Sequence, residues 1–140
     1  MDGEKVRGNC YCGQVQYEAN LPSKWVGHCH CEACRRSQGA GIVTYAGFAA
    51  QAVRFAGGES CLTNFVSETG ATRRFCSRCG STISYQAPRW ADEVHLLVAN
   101  LLDPLDKLPT GHAYSARAPS WCPITDDLKL FDGDSGTEPL

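Results

Sequence analysis

Between His28 and Ala40 the chain reads His-Cys-His-Cys-Glu-Ala-Cys-Arg-Arg-Ser-Gln-Gly-Ala, which places three cysteines within six residues in the spacing C-x-C-x-x-C. No other stretch restricts the fold as strongly. Three thiols this close can all reach one tetrahedral ion, and two of them are too close in sequence to be comfortable disulfide partners. The segment offers three thiolates rather than four. Zinc sites with four protein ligands are closed and structural, whereas sites with three keep a position for water or substrate. The first expectation is therefore a zinc ion held by Cys29, Cys31 and Cys34 with its fourth position open.

Nine cysteines in 140 residues demand a common cause. The opening Met-Asp-Gly-Glu-Lys carries no apolar run, so it does not read as a secretory signal. That predicts a cytoplasmic protein in a reducing compartment, where clustered cysteines bind metal more often than they pair. No stretch is apolar for long enough to cross a membrane. A net charge of -2 argues against nucleic acid as a partner, because such binding relies on a basic surface.

Along the chain, Gly8-Asn9-Cys10-Tyr11-Cys12-Gly13 reads as a tight C-x-C-G turn. Glycine after the second cysteine permits a positive φ, so backbone N–H groups can turn toward the sulfurs. Residues 14–18 alternate polar and apolar, as a half-buried strand does. Trp25-Val26 leads a second short strand into the three-cysteine segment. Residues 32–38 suggest one helical turn stopped by Gly39. Further strands are predicted over 42–45, 53–55, 61–66, 72–75, 82–86 and 93–99. Phe75-Cys76-Ser77-Arg78-Cys79-Gly80 reads as a zinc knuckle, and residues 102–106 as a turn. Residues 132–140 are almost wholly polar and predict a disordered tail. The sum is a mainly β fold of short antiparallel strands with little helix, one domain over residues 1–131.

Two cysteine pairs lie outside the central segment: Cys10 with Cys12, and Cys76 with Cys79. Each is too small for a complete site. Together they supply four thiolates, a closed structural zinc site joining parts of the chain about 65 residues apart. Such a staple offsets the thin core of a small β domain. Two other partitions compete. Cys76 and Cys79 could complete a site with two of the central three, or form a redox pair, though the latter expects a βαβ context that this chain lacks. Cys61 reads as a small buried hydrophobe, and Cys122 stands alone beside Trp121. His28 and His30 rank below the thiols, because alternation puts them opposite Cys29. His95, inside an apolar strand, reads as a satisfied core histidine, and His112 is undecided. Tyr45 and Trp121 read as core rather than as pocket walls.

The three cysteine motifs, with Asn100-Leu101-Leu102-Asp103-Pro104 and the stretch from His112 to Trp121, resemble the glutathione-dependent formaldehyde-activating enzyme family, called Gfa-like. The resemblance covers residues 8–131. It implies a β-tent type fold with two zinc ions per chain. Cys10, Cys12, Cys76 and Cys79 would hold the structural ion, and Cys29, Cys31 and Cys34 the catalytic one. It also implies a carbon–sulfur lyase that condenses glutathione with formaldehyde to S-hydroxymethylglutathione. This chain is shorter than the name-giving members, so the family name does not by itself secure the substrate.

The chemistry agrees with such a role. A zinc ion carrying three thiolates is a weak Lewis acid for splitting water, yet it can hold a substrate thiol as thiolate at neutral pH. Arg35 and Arg36 follow the last ligand and could offset the charge or bind the carboxylates of glutathione. The competing expectation is a non-catalytic zinc module whose second metal is closed by His30, Cys61 or Cys122.

Overall fold

The computed structural model describes residues 4–140. Its strands are β1 (Lys5–Asn9), β2 (Gln16–Asn20), β3 (Trp25–Cys29), β4 (Val43–Ala49), β5 (Val53–Gly57), β6 (Leu62–Val66), β7 (Thr72–Cys76), β8 (Thr82–Gln86), β9 (Glu93–Leu97), β10 (Gly111–Ala113), β11 (Lys129–Asp132) and β12 (Glu138–Pro139). One α-helix, α1, spans Glu32–Gln38. The fold is thus mainly β, as the alternation along the chain predicts. The chain divides into two compact units. The first comprises the residues up to Lys24 with Ala46–Lys107, and the second comprises Trp25–Tyr45 with Leu108–Leu140. β4 begins in the second unit and continues into the first.

In the first unit β1, β2 and β5 form an antiparallel three-stranded sheet. β1 escapes sequence reading because Lys-Val-Arg-Gly-Asn holds a single apolar residue. The register sets Val6 against Ala19 and Gly8 against Tyr17, which puts all the buried residues of the pair on one face. Gly8 is required there. A Cβ would come within 2.5 Å of the Tyr17 ring. The second element of this unit is the antiparallel meander β6-β7-β8-β9. Val6, Val15, Tyr17, Ala19, Phe48, Ile83 and Leu96 are almost wholly excluded from water. The large ones each contribute about 1.5–3 kcal/mol of transfer free energy. The apolar run expected as a strand to residue 99 ends at Leu97, where a 3-10 turn over Val98–Asn100 takes over.

In the second unit β10 runs parallel to both β3 and β11, pairing His112 with His28 and with Leu130. Strand direction is not written in a three-residue segment, and antiparallel pairing was the expectation. Gly111 allows this packing, since a Cβ would meet the Phe131 ring at 2.7 Å. β12 pairs antiparallel with β11 through Phe131 and Pro139, so the structure places a strand within residues 132–140. Helix α1 is two turns long. Cys31 caps its start, with its sulfur accepting from the Cys34 N–H, and Gly39 at φ 62° ends it.

Candidate metal centres

In the first unit two knuckles present Cys10, Cys12, Cys76 and Cys79, whose four sulfurs lie within 4.8 Å of one another. The knuckles share a plan. Gly13 N donates to Cys10 O at 3.0 Å, and Gly80 N to Cys76 O at 2.7 Å. Both glycines have positive φ, 83° and 78°, and a Cβ at either would meet nothing. Conformation, not space, therefore demands glycine here. The turns aim backbone amides at the sulfurs: Val15 N at Cys10 Sγ, 3.3 Å, and Cys12 N at Cys79 Sγ, 3.4 Å. Such donors favour thiolate over thiol.

The Asn100–Pro104 stretch braces this cluster. Asn100 Nδ2 donates to Thr82 O at 2.6 Å and its Oδ1 accepts from Ser81 Oγ, just beyond the second knuckle. Asp103 takes a bidentate pair from the Arg7 guanidinium and a third bond from the Arg7 N–H, just before the first knuckle. That carboxyl is held down to about 2 by its hydrogen bonds with Arg7.

In the second unit Cys29, Cys31 and Cys34 bring their sulfurs within 4.8 Å of one another. The group contains no histidine, carboxylate or fourth cysteine among the described residues. β3 delivers Cys29, and the start of α1 delivers Cys31 and Cys34. Cys29 and Cys34 are buried, with their sulfurs 3.6 Å apart, while Cys31 is half-buried. Hydrogen bonds shared with Cys31 and Cys34, reinforced by burial, push the Cys29 thiol far above its ordinary range. Three such groups cannot ionise together without a cation among them. The donor set fits a thiophilic ion such as zinc.

Around this cluster Arg35 and Arg36 part company. Arg35 Nε donates to the carbonyl of His30, between two of the thiols, at 3.0 Å. Arg36 faces solvent and pairs with Glu32 one turn earlier at 3.6 Å. Tyr45 is buried, as expected of core, but its hydroxyl donates to Cys34 Sγ at 3.3 Å. Trp121 is not core: it is 71% exposed, on a turn closed by Cys122 N to Pro119 O. Neither Cys122 nor Cys61 joins a cluster.

The histidines form a chain that local sequence does not reveal. His30 Nε2 lies 2.7 Å from His112 Nδ1, and His112 Nε2 lies 2.8 Å from Asp126 Oδ1. The His28 ring stacks on His112 with centroids 5.0 Å apart, and its Nδ1 meets Thr44 Oγ1 at 2.7 Å. Burial first, and then the proximity of His112, His28 and Arg35, hold His30 down to about 4. His95, in the first unit, contacts Glu93 at 2.8 Å and is satisfied, as expected.

A β scaffold carrying one four-thiol and one three-thiol cluster defines a class of cysteine-rich proteins able to hold two metal ions. Residues 5–117 match the family described as glutathione-dependent formaldehyde-activating enzyme (GFA), and the chain belongs to that family. A Halomonas elongata protein named "Putative glutathione-dependent formaldehyde-activating enzyme" is 29% identical over 127 residues, covering 85% of this chain and 80% of that protein. The crystal structure of a Rhodobacter sphaeroides protein superimposes with a TM-score of 0.62 at 26% identity, over 74% of this chain and 97% of that one. No helix among the described residues is long and apolar enough to cross a membrane.

Proposed function

We propose that this chain is a cytoplasmic zinc-dependent enzyme of the carbon–sulfur lyase type, which makes and breaks adducts between a thiol and a small aldehyde. Glutathione and formaldehyde, giving S-hydroxymethylglutathione, are the foremost pair. The observation that carries this reading is the difference between the clusters: four thiols in one, three in the other, with no further donor grouped with the second among the described residues. Cys10, Cys12, Cys76 and Cys79 would hold a structural ion, and Cys29, Cys31 and Cys34 a catalytic one.

Zinc on three thiolates would favour the thiolate form of an incoming thiol, which otherwise, with a pKa near ~8.5, is mostly protonated at neutral pH. In the overall reaction the sulfur lone pair forms a C–S bond to the carbonyl carbon. The carbonyl π pair moves to oxygen, which takes the proton released by the thiol. The reverse breaks the C–S bond. The chain's own residues set the stage. Cys29 and Cys34 are buried, which limits water at the cluster. The Cys34 N–H and the Tyr45 hydroxyl donate to sulfurs and stabilise their charge. Arg35, fixed through Nε on the His30 carbonyl, retains other N–H groups for a carboxylate of a peptide-like thiol. Arg36, paired in solvent, has the weaker claim to that role.

The test is a screen of glutathione and other thiols against formaldehyde and other small aldehydes, using protein whose zinc content has been measured. Adduct formation that disappears in Cys29→Ser and Cys34→Ser supports the proposal. Zinc-replete protein inert toward every pair would contradict it.

A further inference from the structure

We propose that Tyr45 is a positioning residue that weakens Cys34 as a sulfur donor and thereby reserves the metal's remaining position for a substrate thiol. The inference rests on the open-site reading above and deepens it. Tyr45 lies on β4 at 4% exposure, with its hydroxyl 3.3 Å from Cys34 Sγ. Gln38, in the last turn of α1, donates from Nε2 to the same hydroxyl oxygen at 3.0 Å. An amide NH2 can only donate, so it occupies a lone pair of the phenol oxygen and leaves the phenol hydrogen to point at sulfur. The hydrogen-bond direction Gln38 to Tyr45 to Cys34 is therefore set by donor chemistry.

The contrast with the other cluster gives this chain its meaning. Cys10 and Cys79 accept from backbone amides, which hold the sulfurs wherever the turns form. Cys34 accepts from a side-chain hydroxyl, a group that packing alone does not require; phenylalanine would fill the same space. A thiolate that accepts an O–H bond yields less electron density to a bound ion. An ion held by Cys29, Cys31 and Cys34 would be left more electron-poor, and a further anionic sulfur would meet less resistance. Groups that hydrogen-bond to metal ligands commonly alter metal affinity or activity by roughly 10–100-fold.

The experiment uses cobalt(II)-substituted full-length protein as wild type, Tyr45→Phe and Gln38→Ala. The sulfur-to-cobalt charge-transfer band is recorded first without substrate and then during glutathione titration. The expected result is a shift of the band to lower energy in Tyr45→Phe and a smaller shift of the same sign in Gln38→Ala. Glutathione should bind about tenfold more weakly to Tyr45→Phe. Gln38→Ala sits on a helix and replaces glutamine by a strong helix former, so it reports even if Tyr45→Phe folds poorly. Bands unmoved in both variants would show a purely packing role and overturn the proposal. A moved band with unchanged glutathione affinity would overturn it too. If wild-type protein ignores glutathione altogether, the thiol-binding reading has failed and overturns the substrate role with it, while a band moved in the substrate-free variants still identifies the Tyr45–Cys34 hydrogen bond as acting on the donor sulfur.

Discussion

His30 and His112, 82 positions apart in the chain, meet nitrogen to nitrogen at 2.7 Å inside the second unit. The direction of that bond follows from what lies beyond it. Asp126, held low by its hydrogen bond from His112, is a carboxylate and can only accept, so His112 Nε2 carries a proton. Whenever His112 carries a single proton that proton sits on Nε2, so its Nδ1 is bare and His30 donates through Nε2. His30 Nδ1 is left as a buried lone pair with no partner.

This assignment is directly measurable. Long-range proton–nitrogen NMR near neutral pH should show both His30 and His112 as Nε2–H tautomers. Asp126→Ala removes the fixed acceptor, and His112 should become a tautomer mixture. A wild-type His112 protonated on Nδ1 would contradict the hydrogen-bond chain.

Substitutions in the two clusters should differ in kind. Cys76→Ser opens a cluster that joins Cys10 and Cys12 to residues more than sixty positions away. A structural zinc contributes on the order of 10 kcal/mol to folding, against a typical net stability of ~5–15 kcal/mol. Cys76→Ser should therefore unfold the chain or lower its melting point sharply. The other cluster lies within six residues and closes little chain, so Cys34→Ser should melt cooperatively while losing one zinc and the thiol–aldehyde activity. Circular dichroism melting with zinc analysis of both variants decides. Equal unfolding of the two would make the three-thiol cluster structural as well.

Asn100→Ala should cost about 1–2 kcal/mol, because it deletes the clamp on Thr82 O and Ser81 Oγ and leaves a half-buried carbonyl without its amide. Denaturant melts of the zinc-loaded protein measure this. A loss within about 0.3 kcal/mol would show that the knuckle holds its shape without the brace.

Much of this was readable from residue pattern. The alternation read over residues 14–18 and 82–86 carries period two, and strands form there, at Gln16–Asn20, two residues further on than the reading, and at Thr82–Gln86. Gly13, Gly39 and Gly80 each follow a motif that needs a left-handed turn, and each adopts one. What was hidden is non-local. Gly-His-Ala in β10 has no period and no sign of direction, so its parallel pairing comes only from tertiary packing. Tyr45 looks like any core aromatic until its hydroxyl is seen on Cys34, eleven positions away. Arg35 and Arg36 are identical neighbours in sequence. A single residue's step around the helix, about 100°, sends the first to the His30 carbonyl and the second to Glu32.

The central claim, that one bound zinc keeps a position for a substrate thiol, is tested most directly by zinc-edge X-ray absorption with and without glutathione. Four thiolates at one ion and three at the other predict an average of about 3.5 sulfurs and about half a lighter atom per zinc, rising to about four sulfurs when glutathione is added. An average already at four sulfurs, or a shell containing imidazole nitrogen, that glutathione leaves unchanged would contradict it.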